Sequence, residues 1–268
     1  METVAASKKS QWDNRVQRAS DLAARFAYAR EILAFYGEVL RLQQRIFDEI
    51  PARSAPAGAS DMPLRARLDT AEAVRYLPAL LSLAEQKGTA KLAEEARAVR
   101  AISLEQQQAM LRGFLAEEPL ANGFFARALL QPYGERLAEQ IPGTSPQSDR
   151  FVCPRCQGRP QAAVLRPEGD GGKRFLLCSF CLTEWEFRRI LCAVCGEENH
   201  QKLPRYSAEE LEAVRVEACD TCRFYLKSID MTVDGLAVPL VDEAATVSLD
   251  LWAAEHGYRK VEPNLMGF

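Results

Sequence analysis

RFLLCSFCLTEWEFRRILCAVC, from Arg174 to Cys195, holds two Cys-x-x-Cys pairs separated by only 10 residues. FVCPRC (Phe151–Cys156) before it and EACDTC (Glu217–Cys222) after it hold one pair each. All eight cysteines fall in these pairs: Cys153/Cys156, Cys178/Cys181, Cys192/Cys195 and Cys219/Cys222. A two-residue spacing lets both thiolates of a pair face one ion from a tight turn, and four pairs supply the ligands of two closed tetrahedral sites.

The gaps suggest how the pairs combine. Between Cys156 and Cys178 lie 21 residues and between Cys195 and Cys219 lie 23. Either gap accommodates a β-hairpin that returns the second turn beside the first, as in a zinc ribbon or rubredoxin-like module. The short gap then reads as a linker. The expected quartets are Cys153, Cys156, Cys178 and Cys181, then Cys192, Cys195, Cys219 and Cys222. An interleaved combination stays open, because spacing alone does not set connectivity.

Disulfides would need an oxidising compartment, and METVAASKKSQWDNRV at the N-terminus has no apolar core to act as a signal peptide, so a cytoplasmic address is expected. A thioredoxin-like site uses one redox pair in a βαβ setting, whereas four pairs recur here. Metal is the expected occupant, and four thiolates suit zinc and mononuclear iron equally.

The chain has 268 residues, 47% of them hydrophobic, and a formal net charge of -3. Two divalent ions on eight thiolates would take this to about -7. That balance disfavours generic nucleic-acid binding, which relies on Lys and Arg to displace counterions. No apolar run approaches the ~20 residues of a membrane span, so no membrane insertion is expected.

Upstream of Phe151 the sequence has the period of helices. From Ser20 to Ile50, Leu22, Phe26, Ile32, Leu33, Tyr36, Val39, Leu40, Phe47 and Ile50 recur at near three- and four-residue steps. Ser20 is the expected N-cap and Pro51 the stop. Ala52 to Pro63 reads as a loop. Further helices are expected over Ala71–Gln86, Thr89–Ala116 with breaks, and Gly123–Glu139, their apolar stripes forming a bundle core. IPGTSPQSD, from Ile141 to Asp149, is the best domain boundary.

Downstream the pattern is that of strands. Ala162–Arg166 and Lys173–Leu177 flank the turn-rich EGDGG, and Glu184–Arg188 would complete a small antiparallel sheet. Ala213–Glu217 and Phe224–Ile229 play the comparable parts in the second module. Asp242 to His256 reads as an amphipathic helix capped by Gly257. The expected fold is α+β: a helical domain over 1–148, a first four-cysteine ribbon over 149–190, a second over 191–240, and a C-terminal helix and tail over 241–268.

The first ribbon is rich in Arg and Lys (Arg155, Arg159, Arg166, Lys173, Arg174, Arg188, Arg189) and the second in acid (Glu197, Glu198, Glu209, Glu210, Glu212, Glu217, Asp220). Two readings follow: solvated faces with counter-charges for the thiolates, or a bipolar docking surface. No Walker-type phosphate loop is present, Arg188-Arg189 is internal and thus no export signal, and His200 is not needed as a ligand beside eight cysteines. Trp185 is expected to pack on its ribbon. No catalytic residue is assigned.

These residues also resemble a known family, the formate dehydrogenase accessory protein FdhE. The likeness rests on VCPRC with Gly158 two residues later, RFLLCSFCLTEWEFRRILCAVCG, EACDTCRFYLKSID, and DGLAVPLVDEAATVSLDLWAAEHGYRK from Asp234 to Lys260; ARALLQPY (Ala126–Tyr133) extends it weakly into the helical half. The chain departs from the family where Gln157 replaces a glycine that often follows the first pair, and where Glu186 replaces a histidine after the tryptophan. The resemblance implies a cytoplasmic assembly factor, not an enzyme. Such a protein is needed for active respiratory formate dehydrogenase, binds its catalytic subunit before twin-arginine export, and holds two iron ions through its eight cysteines. Rubredoxin-like electron transfer to the partner's metal centre is the alternative, and a nucleic-acid-binding zinc ribbon is a more distant one.

Overall fold

A computed structural model describes residues 2–51, 63–117, 123–141, 150–169 and 171–268, with side chains from residue 11 onward. The expected loop Ala52–Pro63 lies outside the described residues except for Pro63, as does the boundary Ile141–Asp149 except for Ile141.

Helix α1 spans Glu2–Arg25 and α2 spans Arg30–Glu49, with a short 3-10 turn at Ala27–Ala29 between them. This corrects the single helix expected from Ser20, which lies inside α1. The apolar pattern begins earlier, at Trp12, Ala19 and Leu22, all buried, and it breaks at Phe26, whose backbone is extended. Gly37 of α2 approaches Ala19 of α1 closely enough that a Cβ there would sit 3.9 Å from the alanine's own. The chain leaves α2 where Ile50, extended ahead of Pro51, ends it.

A short helix α3 (Thr70–Ala73) is capped by Asp69, whose carboxylate accepts from the N–H groups of Ala71 and Glu72. It runs on through a 3-10 turn into α4 (Leu77–Lys87). The long stretch to Ala116 divides into α5 (Ala90–Ala101) and α6 (Leu104–Leu115) because Ser103 and Gln106 form a reciprocal capping box that starts a new helix. Helix α7 (Gly123–Glu139) is buried almost all round and is the centre of the helical half. Pro132 inside it lacks the N–H that Ala128 O would accept, and Gln43 Nε2 of α2 fills that role at 3.0 Å.

The strands are β1 (Pro160–Glu168), β2 (Gly171–Cys178), β3 (Glu184–Glu186), β4 (Arg205–Ser207), β5 (Val214–Ala218), β6 (Phe224–Asp230) and β7 (Arg259–Lys260). The two ribbons are joined edge to edge in one seven-stranded sheet of order β3-β2-β1-β6-β5-β4, with β7 also on β6. The hairpins β1–β2 and β5–β6 are antiparallel, and the seam between them, Ala162–Leu165 against Lys227–Asp230, is parallel.

The expected C-terminal helix is two, α8 (Pro239–Ala245) and α9 (Val247–Glu255). The break at Thr246 has a local cause. Its hydroxyl bonds back to the carbonyls of Asp242 and Glu243, while buried Lys227 on β6 donates to the carbonyls of Glu243 and Thr246. Lys227, Lys260, Glu243 and Asp250 form a buried ion cluster pinning α8 and α9 to the sheet. On its other side α8 meets α1, where Arg18 grips Asp242 and Asp234.

The charge contrast between the ribbons is partly consumed within the chain. Arg174 of β2 binds Glu217 of β5 at 2.7 Å, both nearly buried, and Arg188 reaches Glu198 at 2.9 Å. Opposite charges on the two modules therefore lock them together instead of both being free for a partner.

Candidate metal centres

Each Cys-x-x-Cys pair forms the same tight turn. The first cysteine's N–H donates to a carbonyl beyond the turn: Cys153 to Gly158 O, Cys178 to Thr183 O, Cys192 to Glu197 O and Cys219 to Phe224 O, all at 2.8–3.0 Å. Within the turns, N–H groups of Arg155, Phe180 and Val194 point at the sulfurs of Cys153, Cys178 and Cys192, each at 3.4 Å. The residue after the second cysteine always has positive φ: Gln157 +62°, Leu182 +54°, Gly196 +75° and Arg223 +62°. Only Gly196 adopts this without a Cβ penalty, so three of the four turns carry backbone strain.

The sheet brings the pairs together in sequential order. The sulfurs of Cys153, Cys156, Cys178 and Cys181 all lie within 4.8 Å of one another, and so do those of Cys192, Cys195, Cys219 and Cys222. The interleaved combination is not the one adopted. His200 belongs to neither quartet. Trp185 is buried and donates its indole N–H to Arg150 O at 2.9 Å.

The quartets fit a tetrahedral ion. A metal–sulfur bond of about 2.3 Å implies sulfur–sulfur edges of ~3.8 Å. The closest edges are 3.5 Å (Cys153–Cys181) and 3.3 Å (Cys156–Cys178) in the first quartet, and 3.7 Å (Cys192–Cys222 and Cys195–Cys219) in the second. These are far longer than the ~2.05 Å of a disulfide. Hydrogen bonds from the Cys156, Cys178 and Cys181 thiols hold Cys153 far below the usual thiol value, while burial pushes Cys178 well above it. Holding a cation at four such sulfurs would require all four as thiolates, so its binding would release the thiol protons and their return would release the cation.

The quartets differ in their surroundings. The first is sealed on all four sulfurs and belongs to the same apolar core as the helices. Helix α7 packs against both of its ligand turns. Arg127 and Gln131 both donate to Ser179 O, at 2.9 and 3.0 Å, inside the Cys178–Cys181 turn. Gly134 leaves room for the Phe180 ring, which a Cβ there would meet at 2.9 Å. Arg155, in the Cys153–Cys156 turn, donates to Ala138 O at the end of α7. The second quartet is walled on its inner side by Leu191, Leu203, Leu226 and Ala218 around a 40 Å³ cavity, but Cys195 is exposed and Cys222 half-buried.

The sequence reading placed the cysteines and missed this helical contribution. A signal was present: Arg127, Gln131 and Glu135 stand at four-residue spacing along one face of a helix rich in apolar residues. Glu135 takes the third position, accepting a buried bidentate pair from Arg15 of α1.

Comparison with known proteins agrees with this construction. Residues 152–189 match the family model described as "FdhE, central domain" and residues 190–266 the one described as "FdhE, C-terminal domain". The chain is 29% identical over 97% of its length to 97% of a "Protein FdhE homolog" from Aquifex aeolicus (strain VF5). It is 27% identical over 95% of its length to 87% of one from Haemophilus influenzae (strain PittEE). The crystal structure of the FdhE protein from Pseudomonas aeruginosa superposes with a TM-score of 0.75 at 28% identity, covering 95% of both chains. The chain belongs to the FdhE family. Both the helical half and the joined ribbons thus lie within the span that FdhE proteins share. Among the described residues no helix is long and apolar enough to cross a membrane.

Proposed function

We propose that this chain is a metal-binding accessory protein for the assembly of respiratory formate dehydrogenase. It engages the catalytic subunit in the cytoplasm before export and holds one iron or zinc ion in each cysteine quartet. The observation that carries this is the pair of four-sulfur sites, prebuilt on one sheet, in a chain related to FdhE proteins along nearly its whole length. Bound metal would supply folding energy, since structural zinc contributes roughly 10–16 kcal/mol of apparent binding free energy in small ribbons, as much as a whole domain's net stability. Such a protein acts by binding, and no residue is assigned a catalytic role.

The test is a deletion strain complemented with tagged protein. Formate dehydrogenase activity should vanish on deletion and return with the wild-type chain, and the enzyme's catalytic subunit should co-purify with it. Full activity without this protein would refute the assembly role.

Electron transfer to the client's metal centre is the second reading, favoured by the surface position of Cys195, since an electron-transfer site must come near its partner. Iron-loaded protein would then show visible absorbance that dithionite bleaches reversibly. Tightly held zinc in protein purified without tags would exclude it.

A further inference from the structure

Two sites with identical ligands are built into opposite surroundings. All four cysteines of the first quartet are at most 3% exposed, and Phe180, beside Cys181, is wedged against Phe114 and under the Arg65 guanidinium. Cys156 borders a surface groove beside Arg65 and Gln157 but is itself only 3% exposed, so an entering donor gains full approach to the four sulfurs on separation of the turn from α7. That separation breaks the Arg127 and Gln131 bonds to Ser179 O and opens the apolar core. In the second quartet, Val194 and Cys195 at one turn and Asp220, Thr221 and Arg223 around Cys222 are all exposed. Phe151 approaches this turn at Gly196, where a Cβ would lie 3.6 Å from its ring, and Cys195 itself stays exposed.

We propose that the second quartet is the metal-exchange site of the molecule, with Cys195 as the departing ligand, and that the first quartet keeps its ion for as long as the protein stays folded. This rests on the reading that both quartets hold metal. Exchange by entry of a new donor requires that donor to approach the ion while a ligand leaves. At the second site a thiolate or aromatic nitrogen donor has that approach along the Cys195–Cys222 edge. One lone pair of the entering donor forms a bond to the ion, the bond to Cys195 Sγ breaks, and Cys195 departs as a thiolate that takes a proton from water. No electron moves. At the first site the same step waits for the core to open. The acceptor class is therefore a soft-donor ligand, either a small thiol or chelator or a cysteine or histidine of a partner.

The experiment uses the full chain loaded with two zinc ions and mixed with excess 4-(2-pyridylazo)resorcinol. Release should occur in two phases of equal amplitude, the fast one at least about tenfold faster, as expected when one set of sulfurs is accessible and the other is not. Low urea should accelerate only the slow phase. Iodoacetamide labelling of the same protein, mapped by peptide mass, should modify Cys195 and Cys222 before Cys153, Cys156, Cys178 or Cys181. Cys195→Ser should remove the fast phase and leave one ion with the slow phase intact. A single phase releasing both ions, or labelling of Cys153 as fast as Cys195, would overturn the proposal even if the Cys195→Ser protein does not fold. Uptake of fewer than two ions would overturn the metal reading itself, and the exchange proposal with it.

Discussion

Phe180→Ala would test whether the helical half and the first metal turn are one cooperative unit. The ring is 1% exposed, 5.7 Å from the Phe114 ring, and close enough to α7 that Gly134 has no room for a Cβ. Truncating a buried phenylalanine costs about 3–5 kcal/mol, and little collapse is open to this site because Arg127 and Gln131 hold the turn's backbone in place. With a urea slope of roughly 2.5 kcal/mol per molar, the helical far-UV signal should lose about 1–2 M from its midpoint. If a third of the loss falls on the metal-bound turn, about 1.4 kcal/mol, the first ion is held some tenfold more weakly. Circular dichroism in urea and chelator competition on the same sample read both effects. A helical midpoint that moves by less than about 0.3 M would refute the coupling, because a loss of that size would be far below the cost of one buried ring. The same coupling predicts that loss of Cys178 unsettles the helices as well as the ribbon.

Gln157 is exposed and held at φ +62°, so Gln157→Gly should relieve strain and raise stability by about 1 kcal/mol, whereas Gly196→Ala at φ +75° should lower it by a similar amount; thermal midpoints a few degrees apart in opposite directions would show this. Burial pushes the Glu243 and Glu217 carboxyls up, but Lys227 and Lys260 outweigh it for Glu243 and Arg174 with Arg205 and Arg215 for Glu217, so both are held below their ordinary value of 4.5. A depressed folded-state value means the stabilisation is complete above that ordinary value and lost as pH falls through the folded one, so urea midpoints should stay level down to about pH 5 and then fall steeply. Lys227→Met leaves the buried Glu243 and Asp250 carboxylates sharing the charge of Lys260, with Asn264 and Tyr225 as neutral donors, and should cost roughly 3–5 kcal/mol, read as detachment of α8 and α9 by hydrogen exchange.

The cysteine spacing made the quartets legible because a metal site depends on a few residues whose chemistry is unambiguous and whose gaps measure hairpins. The strands were legible for the related reason that β1, β2, β5 and β6 each run into or out of a ligand turn. The joining of both ribbons into one sheet was not. The parallel seam between Ala162–Leu165 and Lys227–Asp230 links segments some sixty residues apart and leaves no local pattern. The N-terminal break was misplaced because Trp12 and Ala19 extend the apolar face upstream of a serine that looks like a cap. The division between α8 and α9 depends on Lys227, a lysine that reads as surface in sequence and is wholly buried in the fold.

Exposure of the second quartet does not make it loose. Its Cys219–Cys222 turn is held from outside the ribbon: Tyr258 donates to Asp220 at 2.6 Å, Arg223 stacks over the Tyr258 ring at 3.9 Å, and Arg259 N–H donates to Arg223 O at 2.8 Å. The turn into this strap needs Gly257, whose φ is +76°. The strap fixes the backbone of a turn whose Cys222 stays half-buried, whereas α7 fixes a turn whose cysteines are buried. A site that is rigid and open keeps its ligands in place when one is displaced, so that it can refill without refolding. A site that is rigid and closed can only anchor. On the proposed reading the same four-thiolate chemistry would be divided between holding the molecule together and meeting what lies outside it, and what would divide it is α7, whose Arg127 and Gln131 grip the Cys178–Cys181 turn.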